Sequence, residues 1–80
     1  MYTEEMSKAF HSHKVPEGFD VQILDYNDFI GIKIDPELLA GLSAESQIEA
    51  VAYINAVKKS LEELGAIVWI TRDALGEQDE

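Results

Sequence analysis

Cysteine is absent from this 80-residue chain, so neither a disulfide framework nor a thiolate metal site is available to it. One domain of this size lies near the lower end of what folds without such staples. Stability must therefore come from burial or from association. Basic residues are also scarce: six Lys and Arg stand against sixteen Asp and Glu, a net charge of −10. Binding through nucleic-acid phosphates needs clustered cations, so that class is excluded, and anionic membrane surfaces are excluded for the same reason. Long apolar runs are missing. The longest, Ala66 to Ile70, falls far short of the roughly 20 residues that span a bilayer. The opening Met1-Tyr2-Thr3-Glu4-Glu5 is acidic and lacks the basic region and apolar run of a secretory signal, which predicts a cytoplasmic protein.

Several chemistries are missing too. The five glycines are scattered at Gly18, Gly31, Gly41, Gly65 and Gly76, so no phosphate-cradling loop forms. No serine sits in a Gly-x-Ser-x-Gly elbow. The Asp25-to-Asp35 interval lacks the ligand spacing and glycine of a calcium loop.

What is present is a core. Apolar residues make up 46% of the chain, well above a disordered composition. Residues 1–18 read as a polar leader, mobile until a partner or a neighbouring subunit orders it. Thr3 can cap a short helical turn there, which places Met6 and Phe10 on one side. Pro16 and Gly18 mark where the compact domain, residues 19–72, begins.

Phe19 to Asp25 alternates with the period of a half-buried strand, Phe19, Val21 and Ile23 pointing one way. Turn residues Asn27 and Asp28 lead into a second strand, Phe29 to Ile34, with Ile30, Ile32 and Ile34 toward the core. The two read as an antiparallel hairpin. Gly31 marks a bulge or a point of close packing. Asp35-Pro36 stops the strand and starts a short helix through Leu38 and Leu39 that ends at Gly41.

Ser43 caps the main helix, expected over residues 44–64 and stopped by Gly65. Gln47, Ala50, Ile54, Val57, Leu61 and Leu64 alternate steps of three and four, one continuous stripe. Ala66 to Thr71 is the third strand, and residues 73–80 read as an acidic tail. The expected fold is α+β: a small three-stranded sheet, hairpin plus C-terminal strand, packed on one long helix in β-β-α-β order.

One helix covers one sheet face, yet the third strand is apolar at consecutive positions, as if covered on both sides. Either Ile67 and Trp69 or Val68 and Ile70 must face away from the helix. The leader, the short helix or another chain is expected to cover that side. Phe29, Ile67 and Trp69 on the sheet, with a second helix stripe of Ile48, Val51, Ala52 and Asn55, form the candidate apolar interface.

Two groupings invite chemistry. His11-Ser12-His13 places two imidazoles on one side of an extended chain, but zinc takes three or four ligands and no third has a matching spacing, so no metal and no cofactor is expected. Asp25 with Asp28, Asp35 with Glu37 and Glu62 with Glu63 can be paired as acid and base, but a chain one-fifth acidic generates such pairs by chance. A catalytic carboxylate also needs a desolvating pocket. No catalytic residue is expected.

The remaining signal is charge. Asp20, Asp25, Asp28, Asp35, Glu37, Glu45, Glu49 and Glu63 are spread over a firm scaffold and can imitate a phosphate backbone at the basic groove of another protein. Small acidic decoy inhibitors of phage origin work this way, an analogy of charge and size alone. The expected function is a non-catalytic inhibitor or regulator docking these carboxylates on a basic, for example nucleic-acid-binding, site of a larger protein. The alternative is a homo-oligomeric structural or adaptor module, a homodimer joined through the apolar sheet face or the helix stripe.

Overall fold

A computed structural model describes residues 2–72; the acidic tail expected at residues 73–80 lies outside the described residues. The elements run α1 (Glu4–His11), β1 (Gln22–Asp25), β2 (Ile30–Ile34), α2 (Pro36–Ala40), α3 (Ala44–Glu63) and β3 (Val68–Arg72). The expected α+β, β-β-α-β fold is the one observed, with one helix added in front.

Each helix begins where a side chain satisfies an otherwise orphaned N–H. The Thr3 hydroxyl accepts from the Met6 N–H and starts α1. The Asp35 carboxylate accepts from Glu37 and Leu38, with Pro36 in the first turn of α2. Ser43 accepts from Ser46 and starts α3. At the far end of α3 the Gly65 N–H donates to the Glu62 carbonyl and the Ala66 N–H to the Leu61 carbonyl. This paired closure needs a left-handed residue, and Gly65 supplies it at φ +98°.

β1 and β2 pair antiparallel, Gln22 opposite Lys33 and Asp25 opposite Ile30. The Asp25 carboxylate closes their turn by accepting the Asn27 N–H at 2.8 Å, and Asn27 takes φ +75°. β3 pairs with the other side of β2 in parallel, Ile30 opposite Val68 and Ile32 opposite Ile70. A parallel partner requires a long crossover, and α2 and α3 provide it. β2 is thus the central strand, and β1 and β3 are the edges.

The core lies between the sheet and the helices: Phe19, Val21, Ile30, Ile32 and Val68 meet Met6, Ala50, Tyr53, Ile54, Val57 and Leu61. Four of the six positions in the expected α3 stripe are buried. Leu64 is exposed at the helix end, and Gln47 is half-buried, its amide donating to the Ala40 and Leu42 carbonyls. Tyr53 joins the core instead, its ring edge-on to Phe19 at 6.5 Å. Burial raises its phenol pKa, and the nearby Asp20 charge adds to the rise.

The core also extends into what composition marks as a leader. Met6 is buried, and Tyr2 and Phe10 pack against the same cluster. His13 Nε2 lies 2.8 Å from Ser60 Oγ, and the Tyr2 N–H donates to Asp25 Oδ2 at 2.9 Å. α1 therefore lies beside α3 on the same face of the sheet. No helix among the described residues is long and apolar enough to cross a membrane.

Candidate interaction surfaces

Side chains alternate across a strand, so the register separates the two faces. Ile30 and Ile32 point to the helices with Val68. Leu24, Gly31 and Trp69 share the opposite face, together with Ile67 and Thr71. Of the two options for β3, Ile67 and Trp69 are the residues turned away. Neither α1 nor α2 covers them: Ile67 is 61% and Trp69 60% exposed.

That face is covered partly by its own aromatics. Tyr26 folds back from the turn over Gly31, where a Cβ would stand 2.7 Å from the Tyr26 ring. Gly31 is therefore a place of close approach, and its ladder with β1 runs through without an extra residue. Tyr26 stacks on Phe29 at 4.7 Å, and Phe29 meets Trp69 edge-on at 6.4 Å. Phe29, Ile67 and Trp69 thus come together as expected, with Tyr26, which follows β1 in the turn, as an addition to that set. The signal for it was the missing side chain at Gly31, which left room for a ring. The Thr71 hydroxyl on this face is buried with no hydrogen-bond partner among the described residues.

The carboxylates do not form one surface. Asp25 and Asp28 lie at the turn end of the hairpin, beside Tyr26 and Phe29. Asp20 and Asp35 lie at the opposite end, lining an open groove with Gln22, Lys33 and Leu38, and Glu37 follows in α2. Glu45, Glu49 and Glu63 are exposed on α3, on the helix layer, and cannot meet the same flat partner as the open sheet face.

Two of these acids are also structural. Asp35 caps α2. Asp25 is held at a pKa of about 2, first by the Asn27 N–H, with the Tyr2 N–H adding to the effect.

The histidines diverge. His11 ends α1, its Nδ1 2.8 Å from the Ser7 carbonyl, whereas His13 reaches across to Ser60. Helix α1 replaces the extended chain that would have aligned them. Among the described residues no group of three His, Asp or Glu side chains is placed to hold a metal ion.

A second apolar surface lies at the β3 edge. Ala66, Ile67, Val68, Trp69 and Ile70 line an open groove with Lys58 and Glu62 of α3. Lys58 and Glu62 form an i,i+4 ion pair at 2.7 Å. On a helix, Ile48, Val51, Asn55, Lys58 and Glu62 follow one another along one side, opposite the side on which Ser60 meets His13. Ile48 is 72% and Val51 47% exposed. Ala52, expected to share this stripe, instead lines the groove beside His13–Glu17 with Glu49 and Tyr53.

No family model, no curated protein and no solved structure matches the chain.

Proposed function

We propose that the protein is a non-catalytic interaction module whose open sheet face receives a protein segment carrying basic and apolar side chains. The observation that carries this reading is the aromatic series Tyr26, Phe29 and Trp69 on a sheet face that no element among the described residues covers, set between carboxylates at both ends of the hairpin. Tyr and Trp are the side chains that dominate binding energy at interfaces. Their faces attract Arg and Lys, and the flanking Asp28 and Asp20 steer a cation toward them. A module of this kind acts as an inhibitor or regulator by occupying a basic, for example nucleic-acid-binding, site of a larger protein. A cytoplasmic setting belongs to the same proposal.

The side chains best suited to chemistry already have partners, which supports the non-catalytic part. His11 and His13 are hydrogen-bonded within the helix layer, Asp35 caps a helix, and Asp25 is locked in its ionised form by N–H donors.

Trp69 is the chain's single tryptophan, so its fluorescence reports on this face alone. The test is capture of binding proteins from a cell lysate on immobilised chain at low and physiological salt. Asp28→Lys and Trp69→Ala should each lose the retained protein, Glu63→Lys on the helix layer should keep it, and the isolated partner should shift the emission of Trp69. Retention that ignores Trp69→Ala and Asp28→Lys, with both variants folded by circular dichroism, would refute the reading.

A further inference from the structure

We infer that the edge of β3 that no described strand pairs with, together with the flank of α3 beside it, is a self-association surface that joins two copies of this chain through a two-fold axis. The inference stands on the strand edge and the helix flank and does not depend on which protein the sheet face binds.

The first observation is the edge itself. The Ile67 carbonyl accepts from the Ile30 N–H at 2.8 Å. In a parallel ladder alternate residues turn their peptide groups to the same side, so Trp69 faces β2 while the N–H and C=O of Val68 and Ile70 point outward. Edge strands ordinarily carry charge, proline or a bulge against pairing. From Ala66 to Thr71 there is none of these: the segment is uncharged and free of proline, its ladder with β2 runs without interruption, and the strand's one charge, Arg72, stands at its last position.

The second observation is where exposed apolar residues gather. Nine large apolar side chains are exposed among the described residues, and five of them (Ile48, Val51, Ile67, Trp69 and Ile70) belong to this edge and flank. Pairing of the edges covers Ile48, Val51 and Ile70 between the helix layers and sets the Trp69 side chains of the two copies beside one another.

Charge selects the occupant. Two molecules of net charge −10 repel one another over most of their surfaces. On this flank β3 contributes no charge from Ala66 to Thr71, and Glu62 of α3 is neutralised by Lys58. Among the described residues, this flank opposes a second copy with the least charge.

The geometry closes. An antiparallel β3–β3 pair centred on Trp69 overlaps residues 67–71 of both copies, and Val68 of each exchanges backbone hydrogen bonds with Ile70 of the other. The two α3 helices then lie on the same side of a six-stranded sheet. With each helix over its own β2 and β3, their axes stand about two strand spacings apart, roughly 10 Å, which is the distance of packed helices. Val51 and Ile48 fill that seam. Trp69 faces its own copy at a non-hydrogen-bonded pair, where Cα atoms approach to about 4.5 Å. The aromatic faces of the two copies become one platform.

The chain has no cysteine, which makes a cross-linking test clean. Sedimentation velocity of the full chain should give a dimer mass that dissociates on dilution. Trp69→Cys should form a disulfide dimer under mild oxidation, since that Cα separation lies within disulfide range, while Glu63→Cys on the outer face of α3 should not. Ile70→Lys places like charges at the seam and should weaken the dimer about tenfold or more, with an unchanged circular dichroism spectrum at low concentration. A wild-type chain that stays monomeric at every concentration overturns the inference. So does an Ile70→Lys chain that dimerises as tightly as wild type, or cross-linking of Trp69→Cys no faster than of Glu63→Cys.

Discussion

Ile32 and Ile70 stand opposite one another in the β2–β3 ladder and point to the same face of the sheet, yet one is fully buried and the other 42% exposed. Their replacement by alanine removes the same atoms, so any difference in cost measures how far the helix layer reaches across the sheet. At Ile32 the lost transfer free energy, about 0.8 kcal/mol for each methyl or methylene, combines with the cavity left between β2 and the helices. The expected destabilisation is about 3–4 kcal/mol. At Ile70 part of the side chain is already in water and no closed cavity remains, so about 1 kcal/mol is expected.

A domain of this length has a total stability of roughly 4–12 kcal/mol, which leaves Ile32→Ala close to unfolding. Ile32→Val, at about 1 kcal/mol, is the measurable form, against no more than a few tenths for Ile70→Val. Urea denaturation followed by far-ultraviolet circular dichroism at low protein concentration gives both values. Equal costs at the two positions would refute the layer arrangement described above. The same experiment at high concentration separates the tertiary contribution from the quaternary one. The cost at Ile32 should hold constant, while the cost at Ile70 should rise as dimerisation stabilises the wild-type chain.

Three further outcomes are expected. Ser43→Ala removes the acceptor for the Ser46 N–H at the start of the longest helix and should cost about 1 kcal/mol in the same urea titration. Gly31→Ala gains strand propensity but drives its Cβ into the Tyr26 ring; the ring must leave Phe29, so the near-ultraviolet dichroism of the aromatics should change while the far-ultraviolet spectrum is kept. Asp25 has its pKa lowered from 3.8 to about 2 in the folded chain. Its stabilising contribution is present above the unfolded value and is lost as pH falls from about 4 through 2, so a wild-type advantage over Asp25→Asn in urea midpoint should shrink over that window and not above it.

Local rules made most of the fold legible. Thr3, Asp35 and Ser43 are caps because their oxygens answer orphan N–H groups one turn on, and Gly65 ends α3 because the closing bonds there need a left-handed residue. These are contacts within a few residues, and spacing alone reports them. What spacing did not report depends on distant partners. Tyr53 stands three after Ala50 and four before Val57, so spacing allowed it beside Ile54, but only Phe19, 34 positions away, shows which ring edge it meets. The leader joined the core through Met6, a single apolar residue whose weight composition averages away. Tyr26 drew no notice because the space it fills belongs to Gly31 on the partner strand. The apolar run in β3 was legible, but the reason for it was not. Both its sides looked covered because a strand at an unguarded edge and a buried strand present the same run of residues.

That ambiguity bears on how the acidic charge should be understood. Dispersed carboxylates are usually explained by solubility, and among the described residues they occupy the helix layer and both ends of the hairpin. Among the described residues none lies within Ala66 to Thr71 at the β3 edge, where a carboxylate would guard the backbone against pairing. Dispersed charge elsewhere and neutrality here have one physical consequence in common. If the edges pair as proposed, repulsion between copies favours a single orientation, and edge pairing that could otherwise run on as open-ended association closes as one pair.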